Sequence, residues 1–155
     1  MLEVVLNTEE EVMSVENVEK QLKNYNEQIE ALQSKMFYLK EEIKEAEEAF
    51  ENAQKFHGDF NTFVNKAGNI KESLLENISL KSVVSFTGKI ADILTGKEYN
   101  AAENKFLEIN EYIKSEIIRM EAEYEECKQQ CIAILAKMDA ATLELDKLKR
   151  EQSNQ

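Results

Sequence analysis

VENVEKQLKNYNEQIEALQSKMFYLKEEIKEAEEAFENAQKFHGDFNTFVNKA, residues 15–67, decides the fold. One line of positions runs through it: Val15, Val18, Leu22, Tyr25, Ile29, Leu32, Met36, Leu39, Ile43, Ala46, Phe50, Ala53, His57, Phe60, Val64 and Ala67. The steps alternate three and four without a break, and His57 is the one polar member. A strand would need a step of two, and an isolated straight helix would drift away from a strict seven-residue repeat. An unbroken heptad of this length means a helix whose apolar stripe lies against another helix along its whole length. At a rise of ~1.5 Å per residue the arm reaches roughly 75–80 Å, so it needs a partner of similar length.

The partner lies further along the chain. A second stripe runs Tyr99, Ala102, Phe106, Ile109, Ile113, Ile117, Met120, Tyr124, Cys127, Cys131, Ile134, Met138, Ala141, Leu145 and Leu148. Its consecutive fours at Ile109, Ile113 and Ile117 form a stutter that locally unwinds a supercoil. Two matched arms joined by a short insert predict an all-α, antiparallel helical hairpin with a small helical tip. If Ala67 faces Tyr99, then His57 lies opposite Ile109, Phe50 near Glu116 and Ile117, and Val18 near Leu148. The organisation expected is a single domain of 155 residues. Arm one covers about 8–67, the tip 68–98, arm two 99–150, and residues 151–155 form a frayed tail. Thr8, followed by Glu9, Glu10 and Glu11, has the form of a capping box and predicts the first helix start. Met1 to Leu6 reads as a short apolar lead-in.

Composition supports the helical reading. The chain has no Pro and four Gly, and charged residues make up 32% of it. Its net charge of −12 argues against nucleic acid and anionic membranes, which attract clustered Lys and Arg. No apolar run approaches the ~20 residues of a membrane span, and the start lacks the basic region of a secretory signal. The expectation is a cytoplasmic chain whose export, alongside a partner, would use a route that reads no cleavable signal peptide.

Residues 68–98 differ from the arms. Three of the four glycines fall here, Gly68, Gly88 and Gly96, and four lysines balance four acids. The stretch is rich in aliphatic residues, including Leu74, Ile78, Val84, Ile90, Ile93 and Leu94. It predicts two short helices, about Ile70–Ile78 and about Lys81–Leu94. Off the arm stripes lie Phe37, Phe56 and Phe63 on the first arm and Ile118, Leu135 and Leu143 on the second. These widen the apolar faces beyond a two-stranded seam and favour a further helical pair packed alongside.

The residues offer little chemistry. His57 sits in a core register with Phe56 and Phe60 nearby, where a spacer is far commoner than a catalyst. Cys127 and Cys131 are four apart on the seam, distant from His57 in the hairpin register, and read as small hydrophobes in a reducing compartment. The Thr-Gly-Lys pairs at 87–89 and 95–97 have the wrong spacing for a phosphate loop. The reading is a non-enzymatic protein with no catalytic residue, no metal and no cofactor.

One local pattern carries a resemblance. Leu94-Thr95-Gly96, followed by Ala102 and Phe106, resembles the turn and second-helix start of the Trp-x-Gly and LXG helical hairpins of Gram-positive type VII secretion. Phe86-Thr87-Gly88 is a second, weaker match. Tyr99 with Glu103, and Tyr112 with Glu116, fit the family's Tyr-x-x-x-Asp/Glu export mark. The resemblance implies a small adaptor or targeting chaperone that bundles with the N-terminal helices of an LXG effector. Hydrophobic contacts with a helical partner, or with a second copy, are then expected from Leu74, Ile78, Val84, Phe86, Ile90, Leu94, Tyr99 and Phe106, with Gly96 setting the turn. A different class shares the plan of two arms and an insert: the prefoldin subunits, holdase chaperones whose insert forms β-hairpins. The insert here lacks the dense Gly and the alternation that such hairpins need. A third class is a coiled-coil structural or scaffold protein held together only by its seam.

Overall fold

The computed structural model describes residues 14–77 and 81–154. It is all-α: α1 covers Val15–Asn77, α2 Lys81–Thr95 and α3 Lys97–Ser153. No strand occurs among the described residues. The lead-in and the expected cap at Thr8 lie outside them. Within them, Ser14 caps α1: its Oγ accepts a hydrogen bond from the Asn17 N–H at 3.2 Å. The first tip helix expected near Ile70 is instead the continuation of α1, which passes through Gly68 and runs to Asn77. A helical Gly costs about 1 kcal/mol relative to Ala, too little to end a helix supported on both sides.

Contacts along the chain divide it into two compact units, Met1–Tyr38 with Tyr124–Gln155, and Leu39–Glu123. In the first unit, the opening of α1 lies beside the end of α3, and the Lys149 ammonium donates to Glu19 Oε1 at 2.9 Å. That pair sits one residue past the expected neighbours Val18 and Leu148. Val18 is fully buried, and Ile29, Cys127 and Ile134 are buried with it.

In the second unit, partner numbers on α3 fall as those on α1 rise, which is the antiparallel sense. Lys114 lies over the Phe50 ring, 5.6 Å from its centre. His57 stacks on Phe106 at 5.0 Å, and Phe60 on Tyr99 at 5.8 Å. His57 therefore sits about one turn from its expected neighbour Ile109, and Tyr99 reaches Phe60 rather than Ala67. The cause lies on α3. Ile109 is 48% exposed and Asn110 is 5% exposed, so Asn110 takes the seam position expected for Ile109. The consecutive fours move with it, from 109–113–117 to 102–106–110. Along the chain either residue fits between Phe106 and Ile113; the choice is made across the hairpin, where Phe56, His57 and Phe60 crowd around Phe106.

The seam itself follows the pattern closely. All sixteen α1 stripe positions are buried or half-buried. Fully burying one Leu, Ile, Val or Phe is worth about 1.5–3 kcal/mol, so the stripe holds each unit together. The outer charges add little. Arg119 bonds both Glu116 and Glu123, and the Glu116 carboxylate raises its already high pKa, but the group is fully exposed and screened. The six off-stripe residues, Phe37, Phe56, Phe63, Ile118, Leu135 and Leu143, are all exposed.

Candidate functional site

α2 is an apolar helix, with Lys81 and Lys89 against Asp92, between two acidic ones. Phe86, Ile90 and Ile93 fall at i, i+4 and i+7, the spacing of one helix face. All three side chains are exposed. An exposed face of large aliphatic and aromatic groups at helical spacing is the kind of surface that another helix covers. Ile93 was not singled out by the sequence reading, although its spacing from Phe86 and Ile90 carries the signal. Of the other expected contact residues, Leu74 lies on α1 and Val84 and Leu94 on α2, with side chains outside the description. Ile78 lies outside the described residues altogether.

The bend after α2 is one residue long. Gly96 separates Thr95, the last residue of α2, from Lys97, the first of α3. Its carbonyl accepts from the Asn100 N–H at 3.1 Å, so Gly96 occupies the cap of α3. Glu98, in the first turn, suits the positive helix end. Gly96 is needed here, but not for a left-handed backbone, since no glycine has positive φ. A Cβ at this position would run into the Asp92 backbone carbonyl. Close approach of two backbones, rather than a special dihedral, excludes a side chain.

Tyr99 and Phe106, the last two expected contact residues, have their rings inside the hairpin. The Tyr99 hydroxyl donates to Asn61 Oδ1 at 2.8 Å while its ring stacks on Phe60. Phe106 touches Phe56, His57 and Phe60. Beside them His57 Nε2 lies 2.7 Å from Glu103 Oε2 and 3.1 Å from Asn61 Nδ2. A carboxylate only accepts, so the ring proton at Nε2 goes to Glu103. The group is a half-buried polar clasp across the seam. With that proton on Nε2 the nitrogen has no lone pair for the Asn61 amide, which is a close neighbour of the ring and not a second hydrogen-bond partner. Of the two export-like pairs, Tyr99 and Glu103 are both engaged in this clasp. Tyr112 is exposed, and Glu116 bonds Arg119.

Cys127 is buried and Cys131 half-buried, both as free thiols. Among the described residues no three His, Cys, Asp or Glu side chains gather as metal ligands would. No described helix is long and apolar enough to cross a membrane.

No protein-family model matches the chain, and neither a curated protein nor a solved structure does.

Proposed function

We propose that this chain works by binding rather than by catalysis, as an adaptor or targeting chaperone for another helical protein. The observation that carries the reading is the exposed row Phe86, Ile90 and Ile93 on α2. It lies on the stretch where charges cancel, so a partner helix meets little of the chain's excess of acids. The resemblance of Leu94-Thr95-Gly96 to the LXG turn supports one partner class, the N-terminal helices of a type VII secretion effector. The one-residue bend at Gly96 is consistent with that resemblance. The helical character of α2 favours this reading over a prefoldin-like holdase, whose insert would need strands.

The test is co-expression with the products of neighbouring genes, followed by size exclusion. A helical partner should co-elute with the parent, and the complex should survive high salt, because apolar area rather than charge drives it. Phe86→Asp with Ile93→Asp should release it, while circular dichroism stays unchanged because both side chains are exposed. A parent that elutes alone with every candidate, or a double variant that holds the partner as tightly, would overturn the proposal and favour the scaffold reading.

A further inference from the structure

A second exposed row lies on α1 within the unit Leu39–Glu123. Phe56, Phe63 and Ile70 follow one another at intervals of seven and are 61%, 60% and 61% exposed. Between residues 39 and 70 they are the large apolar side chains of α1 that face solvent. Side chains seven apart form a straight line along a supercoiling helix, which is the pattern of a helix–helix seam. The hairpin already has its seam, on the adjoining positions His57, Phe60, Val64 and Ala67. At one end of the row Phe56 also meets Phe106, at 5.5 Å between ring centres.

We infer that this row is the interface between two copies of the chain, arranged antiparallel about a two-fold axis at Phe63. The row is self-complementary in that sense. Phe63 meets its own equivalent, while Phe56 of each copy meets Ile70 of the other. Two-fold contacts require one patch that matches itself reversed. The charges flanking the row do the same. Asp59 and Lys66 lie along one edge, both exposed. Reversal about Phe63 sets Asp59 of each copy beside Lys66 of the other. A parallel pairing would put this edge on opposite flanks of the row in the two copies, where Asp59 and Lys66 do not meet across it.

Net charge points to the same place. Between Asn52 and Ile70 the charged residues are Lys55, Asp59 and Lys66, two cations against one anion. The chain as a whole carries −12, and the preceding turns of α1 bear Glu41, Glu42, Glu45, Glu47, Glu48 and Glu51. A second copy can therefore approach along 52–70 without the repulsion it meets earlier on the helix. Three large side chains at this exposure offer about 350 Å² of apolar area per copy, taking roughly 200 Å² for a whole aromatic side chain. That lies below the ~800 Å² per partner of a standard interface. The size suits a pair that forms and separates with concentration.

Sedimentation velocity of the full chain across a dilution series, at moderate salt, tests this. The parent should pass from dimer to monomer on dilution. Phe63→Glu should weaken the pair at least about ten-fold, with helicity unchanged. Asp59→Lys alone, and Lys66→Asp alone, should each weaken it, and the two changes together should restore it to within about three-fold of the parent. A parent that stays monomeric at every concentration would overturn the inference. So would a Phe63→Glu chain that pairs as tightly as the parent, or a combined charge swap that fails to restore pairing. A monomeric parent whose Phe63→Glu variant loses a co-expressed helical partner would assign the row to that partner instead. Loss of the α2 partner through Phe86→Asp leaves this result untouched, so the two readings fail separately.

Discussion

Asn110 holds a seam position, and this was not legible in the sequence. Asn is read as a surface residue, and Ile109 beside it satisfies the same three-and-four spacing between Phe106 and Ile113. Polarity favoured Ile109; the structure buries Asn110 and leaves its Oδ1 without a hydrogen-bond partner. A buried, unpartnered carbonyl oxygen carries a desolvation penalty of about 1–3 kcal/mol. Leu has the same number and connectivity of side-chain heavy atoms, is somewhat bulkier, and needs no partner. Asn110→Leu should therefore stabilise the hairpin by about 1–2 kcal/mol, read as a higher midpoint in urea with the slope unchanged. A destabilised variant would mean that Oδ1 is satisfied by water, or that the space does not accept a branched chain. By contrast His57 was read correctly as a seam residue, because the heptad passes through it. Its bond to Glu103 was not readable, because it depends on a register that the pattern leaves open by about one turn.

At the scale of the helix, the stripe of α1 was legible to the residue, and the reason is redundancy. Sixteen positions in strict alternation leave no second solution, so each is buried or half-buried. The tip was less legible. Gly68 looked like a boundary, yet α1 continues to Asn77, since one glycine weighs little against the turns on either side. Of the expected contact residues, Phe86 and Ile90 proved exposed on one face of α2, whereas Tyr99 and Phe106 turned inward, because an aromatic at a seam position packs within the hairpin first. The face assignment can be tested directly. Ile43 lies on the stripe and is half-buried; Glu47, one turn on, is exposed. Ile43→Asp should cost about 3 kcal/mol, by placing a charge against apolar neighbours. Glu47→Lys should change stability by less than ~0.5 kcal/mol. Equal melting temperatures for the two variants would show that the stripe carries no more weight than the outer face.

Across the whole molecule, thirty-one acids face nineteen bases, and the difference of twelve has no counter-charge anywhere in the chain. Residues 68–98 contribute nothing to the excess, since Lys71, Lys81, Lys89 and Lys97 balance Glu72, Glu76, Asp92 and Glu98. The arms and termini therefore carry all of it, and folding brings these like charges closer together than in the unfolded chain. Against this stand surface pairs such as Lys23–Glu27 and Arg119–Glu116, each with a median worth of about 0–1 kcal/mol. Salt weakens both effects, so the sign of its influence reports which one is larger. The uncompensated excess should win, because the pairs involve exposed side chains while the repulsion sums over every acid within a screening length. Raising sodium chloride from about 0.01 M to 1 M shortens that length from roughly 30 Å to 3 Å. The melting temperature should rise by several degrees, as about 1 kcal/mol does in a chain of this size. Chloride is the right probe, since sulfate would strengthen apolar burial by itself and hide the answer. A melting temperature that falls with added chloride would mean that the ion pairs outweigh the twelve unmatched acids.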